Sequence, residues 1–191
     1  AIQVGLLVLV VTAPAFILFS QKGPGAMHAP WLISLAAGLV VGGLSQFSRL
    51  CTVGGFRDLF LFKKSILIFG YLAVLIGVFV VNISFGNFHL GFENQPIAHT
   101  DGLWNFLGMA LAGFCSVLLG GCPLRQLIMT GEGNSDSAVT VLGLAAGAAF
   151  AHNFGLAASG AGPTLNGEIA VGVGFVVAFI IAVLNTKRSN A

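Results

Sequence analysis

Hydrophobic positions in this 191-residue chain fall in long unbroken runs rather than in alternation or narrow stripes. Six stretches, residues 2–20, 30–50, 65–85, 103–120, 137–159 and 167–185, are predominantly apolar. Each has roughly the ~20 residues that cross a hydrocarbon core of ~30 Å. None alternates as a strand does. A bilayer leaves the backbone to satisfy its own hydrogen bonds, so the runs predict α-helices. Polar and glycine-rich punctuation separates them: Gly23-Pro24-Gly25, Gly86-Asn87, Gly131-Glu132-Gly133-Asn134 and Gly160 to Pro163. The predicted fold is all-α, a polytopic membrane helix bundle of six spans forming a single integral membrane domain over 1–191. Glycines inside the spans, among them Gly38, Gly42, Gly43, Gly108, Gly113, Gly143 and Gly147, predict closely packed helices, because small residues let helix backbones approach.

Composition leads to the same class. Charged residues make up 7% of the chain and the apolar set 57%, whereas soluble domains carry about 25% charged residues. Mean hydropathy is +0.98. Eight scattered basic side chains exclude a nucleic-acid footprint, and the sparse charge excludes intrinsic disorder. Their placement sets an orientation. With six spans, one side holds Arg49, Arg57, Lys63, Lys64, Arg125, Lys187 and Arg188, while the other holds Lys22 with Glu93, Asp101 and Glu168. The positive-inside rule then puts both chain ends in the cytoplasm and the protein in the cell (inner) membrane. No basic signal-peptide n-region opens the chain, and an N-terminus without Met reads as trimmed, processed or cut from a longer chain.

The second and fourth spans end alike. The segment from Gly42 to Cys51 aligns without gaps to that from Gly113 to Cys122, and each cysteine is followed by Arg-x-Leu: Arg57-Asp58-Leu59 and Arg125-Gln126-Leu127. Another long span follows each copy. The chain therefore reads as two repeat units, residues 30–85 and 103–159, each a helix, a cysteine loop, a short helix and a second helix. Repeats whose broken helices meet at an interface are a recurring transporter plan.

Cys122-Pro123 places proline where a helix starts, since that position needs no N–H. Helix N-termini favour anions and make a thiol more reactive. Thr52 is positioned to cap a similar helix after Cys51, and Arg57 and Arg125 add positive charge beside each cysteine. A lone Cys-Arg pair is equally well a small buried thiol with an arginine snorkelling to headgroups. Two such pairs at corresponding positions point to a site. Cys115 corresponds to Leu44 in the other copy and reads as a small core residue. Cys115 and Cys122, seven apart on one helix, would be about 10 Å apart and too far for a disulfide. A bridge from Cys51 to either remains open.

His152 and Asn153 fall inside the fifth predicted span, where polar side chains usually face a cavity. They serve either substrate or proton handling, or an interhelical hydrogen bond. Ser45, Gln46, Ser48 and Arg49 give the second span a polar end suited to lining a path. His28, His89 and His99 lack ligand-like spacing, so no metal site or cofactor is expected. The stretch from Gly131 to Asp136 reads as a cytoplasmic loop before a helix capped at Ser135 or Asp136, or as an acidic docking point.

The run from Ser48 to Leu59 and the run Gly120-Gly121-Cys122-Pro123-Leu124-Arg125-Gln126-Leu127 resemble the paired cysteine motifs of YeeE/YedE membrane proteins. Gly131-Glu132-Gly133-Asn134-Ser135-Asp136, with the later Ala151-His152-Asn153-Phe154-Gly155-Leu156, resembles the YedE branch, associated with selenium metabolism; the related YeeE branch takes up thiosulfate. The resemblance covers roughly Gly38 to Gly162. It implies an hourglass-shaped helical protein whose cysteines line a central passage, here Cys51 and Cys122 flanked by Arg57 and Arg125. Typical members are about twice as long, so the chain is expected to be the C-terminal half, completed by a missing N-terminal half or by a homo-oligomer.

The expected function is import of a small sulfur- or selenium-containing anion, with no enzymatic activity. Two alternatives are a membrane thiol protein passing a persulfide-type adduct to a cytoplasmic sulfur or selenium carrier protein, and a structural subunit of a larger complex.

Overall fold

In the computed structural model, the described residues are 29–91 and 99–189, with four isolated positions nearer the start. Apart from those four positions the first predicted span, at 2–20, lies outside the described residues, as do Lys22, His28, Glu93 and the side chains of Lys187 and Arg188. Seven helices follow in order: α1 (Trp31–Phe47), α2 (Thr52–Phe62), α3 (Ile66–Ser84), α4 (Gly102–Leu118), α5 (Pro123–Gly131), α6 (Ser135–Asn153) and α7 (Leu165–Ser189). The chain is an all-α polytopic membrane bundle. Four described stretches are long and apolar enough to cross a membrane: Trp31–Phe62, Ile66–Ser84, Gly102–Gly131 and Leu165–Thr186.

Two of those four stretches are broken. Trp31–Phe62 contains α1 and α2, and Gly102–Gly131 contains α4 and α5, each pair parted by a turn that ends on a cysteine. The turns are built alike. At the end of α1, Ser48 N–H donates to Leu44 O at 2.9 Å and Leu50 N–H to Ser45 O at 3.1 Å. At the end of α4, Leu119 N–H donates to Cys115 O at 3.0 Å and Gly121 N–H to Ser116 O at 3.1 Å. Such a closure needs a left-handed residue after the helix, supplied by Gly120 at φ +74° and by Arg49 at φ +50°. Chain then leads directly into the short helix.

Each short helix folds back against the long helix that follows it. Lys63, left-handed at φ +53°, turns the chain from α2 into α3. An ideal Cβ on Gly55 of α2 would lie 3.4 Å from Ile68 N of α3, and the side chain of Leu50 reaches Gly70. The Phe56 and Tyr71 rings meet at 6.5 Å. The α5–α6 pair has the same layout, while α1 touches α5, α2 touches α4, and α4 packs on α7.

The predicted fifth span, 137–159, ends earlier than expected. Helix α6 stops at Asn153, where Leu156 N–H closes onto Ala151 O at 2.8 Å and Gly155 turns at φ +61°. Its ends carry Ser135, Asp136, His152 and Asn153 around an Ala/Gly-rich middle, and it is not among the four stretches that qualify as spans. Its cap is Asn134, whose side chain accepts from Ser137 N–H at 2.9 Å, rather than Ser135 or Asp136.

The glycine reading also needs correction. Gly38, Gly42, Gly43, Gly108, Gly113, Gly143 and Gly147 have no heavy atom within 4 Å of an added Cβ, so they leave open faces rather than close helix contacts. Close approach occurs elsewhere, at Gly55, at Gly121, and at Gly167 and Gly174 on α7. Buried positions are few among the described residues. They include Ser45, Cys51, Ser116, Cys122, Gln126 and Ser137, mostly polar or thiol-bearing, with Val141 and Ala178. Large apolar side chains face outward, as on α3, which buries no residue at all. In a bilayer those side chains face lipid tails, which cost them nothing.

Gly167→Ala puts a methyl 2.6 Å from the Leu156 carbonyl oxygen, a backbone clash that should cost about 1–3 kcal/mol. Thermal unfolding in detergent should show a lower midpoint for this variant and little change for Gly77→Ala, whose Cβ meets nothing within 4 Å.

Candidate functional site

Cys51 and Cys122 sit at the same structural position, the N-cap of a short helix. Cys51 caps α2 itself: its Sγ accepts from Gly54 N–H at 3.3 Å, and Thr52, expected to be the cap, is instead the first helical residue. Cys122 precedes Pro123, which stands at the start of α5 as the sequence predicts, and its side chain closes no cap hydrogen bond of its own. Its thiol faces the backbone N–H groups of Leu124 and Arg125 at the start of α5, the N–H of Thr52 at the start of α2, and the Cys51 side chain. Two helix N-termini thus converge on one pair of thiols. Both cysteines are buried, 9% and 6% exposed, and both are free.

The layer beneath is held by hydrogen bonds that sequence reading missed. Gln126 is 4% exposed, and its Nε2 donates to Leu119 O at 2.9 Å, bracing the turn that carries Gly120, Gly121 and Cys122. Ser116 returns its hydroxyl to Ala112 O at 2.7 Å. Thr130 in turn donates to the Gln126 backbone carbonyl at 2.8 Å, and no local spacing announces the Gln126–Leu119 bond.

A cavity of about 400 Å³ opens beside Cys51. Arg49, Arg57, Lys64 and Arg125 line it, against Asp58 as the one acidic group. The two arginines that follow the cysteines are held differently. Arg57 grips its neighbour Asp58 at 2.9 and 3.0 Å and keeps 57% of its side chain exposed. Arg125 is 21% exposed; it donates to Gln46 Oε1 on α1 at 3.0 Å and stands 3.8 Å from Glu132. Gln46 corresponds in the alignment to apolar Val117, which lines the facing groove next to Arg57. One arginine is therefore tethered across helices and the other is not. A set of positive side chains around a recess concentrates anions there.

Other expected residues lie elsewhere. His152 and Asn153 are exposed at the C-terminal end of α6. Ser137 and Val141, the buried residues of that 19-residue helix, are near its other end, and the helix is roughly 28 Å long. Neither His152 nor Asn153 joins the thiol pair or its cavity. Cys115 is half-buried on α4, apart from the buried pair. His99 borders a separate cavity of about 270 Å³ between α4 and α7, with Trp104, Asn105 and Glu168. Among the described residues no group of three or more His, Cys, Asp or Glu side chains is placed to hold a metal ion.

A sequence profile described as sulphur transport matches residues 47–187. The chain belongs to the sulphur-transport family. The matched span opens just before the Cys51 turn and takes in both cysteines, both short helices and α7. One similar protein is the thiosulfate transporter TsuA of Escherichia coli (strain K12), 30% identical over 111 residues. That alignment covers 56% of this chain and 30% of the relative, so it spans under a third of that protein's length. No solved structure matches.

Gln126→Leu keeps the volume but leaves the Leu119 carbonyl unpaired in a dry layer, at a cost of about 1–3 kcal/mol. The variant should unfold at a lower temperature in detergent than the wild-type protein. Thr130→Val, which removes a donor from a carbonyl already inside a helix, should change it less.

Proposed function

We propose that the chain forms a membrane passage that carries a small sulfur- or selenium-containing anion into the cytoplasm, with Cys51 and Cys122 as its narrow point. The observation that carries this reading is the convergence of two helix N-termini on a buried pair of free thiols beside a cavity with four cations. Anions gain from helix N-termini and from fixed positive side chains. Arg49, Arg57, Lys64 and Arg125 gather the ion, and Arg57, the more exposed, exchanges Asp58 for it. Thiols are weak hydrogen-bond donors, so they hold an anion without trapping it, the balance that conduction needs. Membership of the sulphur-transport family supports a transporter over an enzyme.

Several finer readings belong with this proposal. The equal lengths of α1 and α4 and of α3 and α6, and the matching turns before each cysteine, support an internal repeat of the two helix–cysteine–short helix–helix units. Clustering of Arg49, Arg57, Lys64 and Arg125 supports a cytoplasmic location for the cavity, with both chain ends on that side. Open, glycine-lined grooves flank the site on both sides, which fits completion of the passage by a missing N-terminal half or a second copy. The inclusion of selenium beside sulfur rests on the resemblance of the Gly131–Asp136 region and the Ala151–Leu156 region to the selenium-associated branch. His152 and Asn153 in this reading act at the opposite end of α6, away from the thiols.

A second reading draws on the same thiols. Cys122 faces N–H groups that it does not engage in a cap bond, a setting that also suits a thiol accepting a persulfide-type adduct for a cytoplasmic carrier. Mass spectrometry after substrate exposure separates the two, since a covalent adduct on Cys51 or Cys122 favours transfer and transport predicts none.

Cys51→Ala and Cys122→Ala proteins, at wild-type membrane levels, should lose uptake of labelled thiosulfate or selenite. Cys115→Ala should retain it. Unchanged uptake of every candidate anion by both cysteine variants would contradict the proposal.

A further inference from the structure

We propose that Cys51 and Cys122 are a redox-active dithiol whose oxidation joins α2 to α5 and closes the passage. The closing of the passage rests on the transport reading above; the pairing of the thiols does not. The three cysteines of the chain are all free, and of these Cys51 and Cys122 are buried together with their side chains in contact across the two broken helices. Cys115 is half-buried within α4, seven residues before Cys122, which lies past the end of that helix. Only one of the three possible pairings is therefore prepared by the fold.

The pair also has an order of attack. Cys51 lines the cavity of about 400 Å³, whereas Cys122 is not among its lining residues. A small disulfide oxidant arriving in the cavity meets Cys51 first. The Cys51 thiolate attacks one sulfur of that disulfide, the oxidant's S–S bond breaks, and one small thiol leaves with a proton. The Cys122 thiolate then attacks Cys51 Sγ in the mixed disulfide and displaces the second small thiol. Two protein thiols are oxidised to one disulfide and one small disulfide is reduced to two thiols, so atoms and electrons balance. N–H groups of Thr52, Leu124 and Arg125 surround the Cys122 thiol and fix it in place beside Cys51 for the second step. Gly120 and Gly121, in the turn before Cys122, give that loop room to adjust to disulfide geometry.

The consequence for the passage is direct. A disulfide removes both S–H donors and fixes the N-termini of α2 and α5 to each other. In a reducing cytoplasm the dithiol form persists, and a rise in small disulfides shuts the passage.

The test uses membrane vesicles containing the full-length protein, treated with oxidised glutathione or left reduced. Each sample is alkylated, digested and read by mass spectrometry, and thiosulfate uptake is measured in parallel. Oxidation should give a peptide linking Cys51 to Cys122 with Cys115 alkylated, and uptake should fall to background and return after dithiothreitol. Glutathione mixed disulfides alone, or a link through Cys115, would overturn the pairing. A Cys51–Cys122 link with undiminished uptake would overturn the closing. Formation of the link in a protein that takes up no anion even when reduced would leave the pairing standing and remove the transport reading instead. Cys115→Ala should show the same link and the same reversible loss as the wild-type protein.

Discussion

A helix broken inside a membrane exposes N–H groups that no water is present to satisfy, and this chain breaks two helices in the same place. Donors at the start of α2 and α5 are turned toward each other and meet at two thiols. Sulfur is a weak acceptor, so the convergence leaves a positive electrostatic environment only lightly filled. Every other feature of the site serves that arrangement. Schellman-type turns at Arg49 and Gly120 aim the short helices, Gln126 braces one of the turns, and the packing of Gly55 on α3 holds the other. The proposal that a small anion enters this layer rests on that arrangement.

The two halves of this layer are similar in backbone and unlike in side chains. Gln46 ties Arg125 across the helices, and at the corresponding position Val117 offers Arg57 nothing to bond. Arg57 keeps a local partner in Asp58 and remains more exposed. Such asymmetry leaves one guanidinium tethered across helices and the other paired with its own neighbour. Around the layer, large apolar side chains and bare glycine faces point outward. The relative's alignment covers 30% of that protein, and unfilled grooves beside the thiols are what an incomplete passage wall would present.

Much of this was legible in the sequence because its strongest constraints act locally. Long apolar runs predict helices since the bilayer forbids unpaired backbone, and proline after Cys122 marks a helix start by removing a donor that would be unpaired anyway. Alignment of Gly42–Cys51 with Gly113–Cys122 anticipated that both cysteines occupy one kind of position. What could not be read depends on three-dimensional neighbours. Thr52 looked like a cap, yet Cys51 fills that role because its backbone is extended and its Sγ reaches Gly54 N–H. Glycines at packing-like spacings proved to face open space, since spacing fixes a helix face but not what lies opposite it. His152 and Asn153 looked deep because the apolar run continued past them, but Gly155 ends the helix there. Contacts such as Arg125 with Gln46, 79 residues apart, leave no local trace.

The central claim is that an anion occupies the point where the two helix N-termini meet, and a substrate-bound structure of the full-length protein tests it most directly. Selenosulfate supplies a heavy atom that anomalous diffraction locates without ambiguity. The account predicts its selenium signal beside Cys51 and Cys122, within reach of Arg57 and Arg125. Signal confined to the cavity between α4 and α7, or absent from the cysteine layer at saturating anion, would contradict it.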